Sequence, residues 1–186
     1  MKTIAILWLG LAGLLTALPL AGSSSAHAAD EGKPVKHSRI GLNEYQNFLI
    51  GWDAVAQPQR FALIRSAAEY DQLFRPAAVN GSKGPFAPAE NFFAQEQILL
   101  VAREMPAPPN LDSVFEVESL EEQGDQLTLK YRYREPAAAS YEVRSYLALR
   151  IPAKKYSKVV FVENGKAAGE LDLSQGEWAK PGPAQD

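Results

Sequence analysis

The chain has 186 residues, 46% of them hydrophobic and 22% charged, the make-up of a globular protein able to bury one core. Nineteen Lys and Arg against 22 Asp and Glu give a net charge of −3, which argues against a general nucleic-acid or polyanion binder. There is no cysteine, so stability rests on the core without disulfides.

Met1-Lys2 opens the chain with positive charge, and Ile4 to Leu20 is an apolar run interrupted by Gly10, Gly13 and Pro19. Gly22 to Ser25 and then Ala26-His27-Ala28, an A-x-A site, follow. This is the pattern of a secretory signal peptide over 1–28, and it predicts a periplasmic or secreted protein with no membrane span after cleavage. Loss of Lys2 takes the net charge from −3 to about −4.

Residues 29–43 are polar and aperiodic and read as a flexible leader. Glu44 to Trp52 mixes aromatic and β-branched residues, as a first short strand would, and Gln59 to Arg65 reads as a buried strand. Ser66 with Glu69 three residues on is a capping box, and Tyr70, Leu73 and Phe74 form one apolar stripe behind it. Pro76 stops that helix. Ala77 to Asn91 holds two Gly and two Pro and predicts a long loop.

Gln97 to Arg103 (QILLVAR) is an almost unbroken apolar run, as in a central strand, closed by the three prolines of Met105 to Asn110. Val114 to Glu122 alternates noisily, whereas Leu127 to Arg134 alternates without a fault. Gln123-Gly124-Asp125 between them is a hairpin loop. Tyr141 to Ile151 alternates with Val143, Ser145, Leu147, Leu149 and Ile151 on one face, and Lys158 to Glu163 is another buried strand. Asn164-Gly165 is a tight-turn signal before an edge strand at Lys166 to Leu173. These elements predict one α+β domain over 44–173, a mostly antiparallel sheet of about five to seven strands with one short helix at about 66–75. A flexible tail follows at 174–186, from which Trp178 could dock.

Pairing Glu122 with Gln126 turns the apolar residues of both hairpin strands the same way, and it places Glu118 opposite Lys130 and Glu116 opposite Arg132. Continuing the same parity into the next strand adds Arg144, Tyr146 and Arg150. The outer face of the sheet is then expected to carry Lys130, Arg132, Arg134, Arg144, Tyr146 and Arg150, five cations against two glutamates. One reading is a solvated face laced with ion pairs. The other is a docking surface, since Arg beside Tyr is the composition of interface hot spots, with the long 77–91 loop as the alternative place for a partner to bind. The partner would be an envelope protein, with an anionic glycan or lipid headgroup as the alternative.

No catalytic, metal or cofactor constellation is apparent. After cleavage His37 is the one histidine, so Cys-His catalysis and a conventional zinc site have no ligands. Neither G-x-S-x-G nor G-x-G-x-x-G occurs, and Gly81-Ser82-Lys83-Gly84 lacks the spacing of a phosphate loop. Glu116, Glu118, Glu121 and Glu122 cluster as a glycan hydrolase's carboxylates would, but cationic neighbours lower a carboxyl pKa where a general acid needs it raised.

Arg60 to Lys166, with the Ser66–Glu69–Tyr70 helix opening, the Phe93-led strand QILLVAR and the closing KVVFVENGK, resembles the PrcB C-terminal-like domain of exported bacterial proteins linked to a protease complex. The resemblance implies a non-enzymatic, partner-binding or protease-associated role. Many members carry a Gly-Gly-Tyr run after the central strand, where this chain has Met105 to Asn110, so no site residue is carried over.

Overall fold

The computed structural model describes residues 32–77 and 84–174. The expected signal peptide, residues 78–83 of the expected loop, and residues 175–186 of the tail with Trp178 lie outside them. In chain order the elements are β1 (Lys33–Pro34), β2 (Ser38–Arg39), β3 (Asn47–Leu49), β4 (Gln59–Ile64), α1 (Ala67–Leu73) and β5 (Phe74–Pro76). They continue with β6 (Glu96–Pro106), β7 (Phe115–Gln123), β8 (Gln126–Tyr133), β9 (Glu142–Pro152), β10 (Lys158–Glu163) and β11 (Lys166–Asp172).

The chain is rich in sheet and has one α-helix among the described residues, but the strands do not form a single sheet. A five-stranded sheet runs β1-β7-β8-β10-β11, a four-stranded sheet runs β2-β9-β6-β4, and β3 and β5 make a two-stranded ribbon. β8 and β10 pair in parallel, and the other pairings are antiparallel. The faultless alternation of Leu127 to Tyr133 places β8 at the centre of the first sheet, with Leu127, Leu129 and Tyr131 fully buried. These meet Leu99, Val101, Leu147 and Leu149 of the second sheet in the main core.

The second sheet is covered on its other side too. Ile98, Leu100, Ala102 and Ala148 pack beneath Ile40, Leu49, Tyr70, Leu73 and Phe74. Burial on both faces is why QILLVAR shows no alternation. It also overturns the expectation that β9 extends the first sheet. β9 lies between β2 and β6, with Val143, Leu147 and Leu149 turned to the main core and Tyr146 and Ala148 turned to the covering layer. The connection from Arg134 to Tyr141 carries the chain across to the other sheet.

The leader is not free of the fold. β1 pairs with the β7 edge, β2 pairs with the β9 edge, and Ile40 is buried, so the segment ties one edge of each sheet together. At α1 the Ser66 hydroxyl accepts from the Glu69 N–H at 3.2 Å, as the capping box requires. The reciprocal bond differs: Glu69 accepts from the N–H of Arg65, one residue before the cap. The helix ends earlier than expected, because Phe74 to Pro76 leave it to form β5.

The hairpin register also differs near its turn. Gln123 pairs with Gln126, leaving Gly124 and Asp125 as a two-residue loop in which Gly124 takes φ +63°. A one-residue shift between Val117 and Ser119 then restores the expected Glu116↔Arg132 and Phe115↔Tyr133 pairs. Phe115 and Leu120, of opposite parity, are both buried, and only a bulge permits that. The bulge puts Ser119, in place of Glu118, opposite Lys130.

Candidate functional site

The six residues expected on one surface occupy two. Lys130, Arg132 and Arg134 stand on the outer face of the first sheet or at its end. Arg144, Tyr146 and Arg150 belong to β9 and face away from that sheet, beneath the layer formed by residues 40–52 and α1.

On the first sheet, Arg132 reaches Glu116 at 3.3 Å and Glu118 at 2.8 Å, Arg134 reaches Glu116 at 2.9 Å, and Lys130 reaches Glu121 at 3.2 Å. The expected excess of cations is therefore absent here, since three glutamates answer three cations. Glu121 enters because the bulge brings it within reach of Lys130. Ser119 and then Lys130 beside it hold its carboxyl below the ordinary range, and the Lys154 bond does the same for Glu122. Such carboxylates stay ionised at neutral pH and cannot serve as general acids there.

On β9 the cations are paired as well. Arg144 forms an ion pair with Glu104 at 2.9 Å, with the backbone of Gly51 and the Trp52 ring close beside its guanidinium. Arg150 reaches Glu44 at 2.6 Å and Glu96 at 3.6 Å and lies over the Phe92 ring. Tyr146 is buried edge-on against Phe74 at 5.4 Å, and burial, with the Glu44 charge adding to it, pushes its phenol up to about 12.

Beside these residues lies a groove of about 420 Å³, within the size range of binding clefts. It is lined by Leu42, Phe48 and Leu49 from the covering segment, by Leu111, and by Val143 to Tyr146 along β9. Among the described residues that line it, Arg144 alone is charged. Phe48, at the groove, is 53% exposed. Asn47 and Ser145, which also line the groove, each keep a buried side-chain oxygen with no hydrogen-bond partner. Residues 84–86 of the expected loop buttress the covering segment: Gln46 N–H donates to Pro85 O, the Gln46 side chain to Gly84 O, and Asn47 to Phe86 O.

Arg144 and Tyr146 are thus the two expected site residues that the fold brings to a concave surface. The groove's apolar lining escaped the sequence reading. Phe48 in EYQNFLIGW was legible as a strand residue, but nothing in the segment marks which of its aromatic side chains stays exposed.

Among the described residues no helix is long and apolar enough to cross a membrane, and no group of three or more acidic or imidazole side chains is placed to hold a metal ion. No family model, curated protein or solved structure matches the chain.

Proposed function

We propose that the protein is an exported, non-catalytic protein-binding module with a protease-associated or regulatory role, and that its partner docks in the β9 groove. The observation that carries this reading is Phe48, a half-exposed aromatic lining a groove together with Tyr146 and Arg144. Interface hot spots combine these residue types in this way. Export rests on the signal-peptide pattern at 1–28, and the protease association on the resemblance at 60–166. Pairing of Lys130, Arg132 and Arg134 with carboxylates leaves the first sheet without the cluster of free positive charge that an anionic glycan or lipid headgroup would need, and this favours a protein partner.

The test is a pull-down from envelope extract with a photo-crosslinking side chain at Asn43. A defined partner band is expected, retained in Arg132→Glu and lost in Phe48→Asp. Retention in Phe48→Asp together with loss in Arg132→Glu would return the site to the first sheet.

A further inference from the structure

The groove lies along the open edge of a strand. β2 pairs with β9 only at Ser38↔Arg150 and Arg39↔Leu149. The Ile40 N–H still donates to Ala148 O at 2.9 Å, and then the chain turns away, with Glu44 N–H bonding back to Gly41 O. Beyond that point, among the described residues, no strand pairs with β9 on this side from Glu142 to Leu147.

The direction of the unpaired groups follows from the ladder. In an antiparallel strand the N–H and C=O of one residue point the same way, and successive residues alternate. The Ala148 carbonyl points to β2, and the β6–β9 register runs without a shift from Glu96↔Pro152 to Pro106↔Glu142. Glu142, Arg144 and Tyr146 therefore turn their backbone donors and acceptors outward, while Ser145 and Leu147 bond to β6. A row of open donors and acceptors beside an apolar groove is what an extended peptide completes.

The side chains add a charge pattern to this edge. Glu142 has no ion-pair partner among the described residues, and Arg144 keeps 42% of its side chain exposed beside Glu104. Both have the parity of Tyr146, so all three stand on the groove side of the strand.

We propose that this edge takes an extended segment of the partner protein by strand addition, antiparallel to β9 and in line with β2. The segment carries an apolar residue opposite Tyr146, an acidic residue opposite Arg144 and a basic residue opposite Glu142. This proposal rests on the docking reading above and specifies the partner of the same groove.

Amide exchange followed by NMR on the exported chain tests it, with the capped peptide Val-Thr-Glu-Val-Lys as probe. Saturating peptide should slow exchange at the Arg144 and Tyr146 amides by on the order of tenfold, leaving Ser145 and Leu147 unchanged. The peptide with Glu and Lys exchanged should bind several-fold more weakly, as like charges then face each other. Arg144→Pro removes an edge donor without a β6 ladder bond and should abolish the protection at Tyr146, whereas Arg144→Ala should keep it.

No protection at Arg144 and Tyr146 with peptide in excess overturns strand addition. So does protection without peptide that rises with protein concentration, which identifies a second copy of the chain as the occupant. If the Asn43 crosslink persists while those amides stay unprotected, the docking reading stands and strand addition alone falls. Loss of both removes the groove.

Discussion

Glu163 is the acceptor for three side chains from three strands. Arg103 on β6 reaches it at 2.8 and 3.1 Å, the Tyr131 hydroxyl on β8 donates to it at 2.9 Å, and Gln59 on β4 does so at 2.9 Å. The Arg103 guanidinium also covers the Tyr133 ring at 3.9 Å. β4 and β6 belong to one sheet and β8 and β10 to the other, so this one carboxylate joins the two layers. Removing a single partner of an enclosed ion pair leaves the others without an acceptor, which is the costly way to break it. Arg103 and Glu163 retain 19% and 15% of their side-chain exposure, which discounts the full buried value. Glu163→Ala should lower unfolding free energy in urea by about 2–3 kcal/mol, and Glu163→Gln, which keeps the acceptor, by less. A loss under about 1 kcal/mol for the alanine would mean that water replaces the carboxylate without penalty.

At the scale of the element, the β7 bulge reconciles a two-residue turn with two inward-facing parities. Deleting Glu118 should bring Phe115, Val117 and Leu120 onto one parity and leave a regular hairpin, at the cost of one exposed pair with Arg132. Stability should stay within about 1 kcal/mol of the parent. Deleting Thr128 from β8, whose neighbours Leu127 and Leu129 are fully buried, has no bulge to remove and should prevent folding. Circular dichroism with urea titration of the two deletions checks the contrast, and equal damage from both would refute the role given to the bulge. The same elements mark what the sequence made legible. Alternation located β8 and β9, and short apolar runs located β4, β6 and β10, because side-chain character is a local property of each strand. Neither could place β9 in the second sheet, because pairing partners far apart in sequence leave no local trace, and two-sided burial blurs the alternation that remains. The leader misled for a related reason: β1 and β2 are two residues each and are held by the edges they pair with, with no apolar pattern of their own. Of the expected site, the residue types on β9 were legible, whereas the groove, which depends on residues 42–49 folding over that strand, was not.

For the molecule as a whole, the distribution of buried tyrosines sets how stability responds to alkali. Tyr146 and Tyr156 are both pushed up to about 12 from an ordinary 10.0, mainly by burial and further by Glu44 and Glu122. Burial, with Glu163 and its hydrogen bond adding, carries Tyr131 higher still, and burial first of all raises Tyr70 and Tyr133. In each case the folded state holds the phenol proton more tightly than the unfolded chain does. A group raised in this way contributes its full stabilisation below the unfolded value and loses it as pH climbs through the folded one. These tyrosines lie in both cores, Tyr131, Tyr133 and Tyr156 in the main one and Tyr70 and Tyr146 under the covering layer, so alkali acts on both sides of the second sheet. The urea midpoint should therefore fall steeply once pH passes about 10, where unfolded tyrosine ionises. Replacing Tyr146 and Tyr156 together by Phe removes two of the linked protons and should flatten that fall through about 12. The Phe pair also lacks the Tyr156 hydroxyl that donates to Glu122 at 3.3 Å, so its midpoint at neutral pH serves as the reference for the slope. An alkaline slope equal to that of the parent would show that these two phenols titrate alike in the folded and unfolded chain, and would place the linkage on the remaining tyrosines.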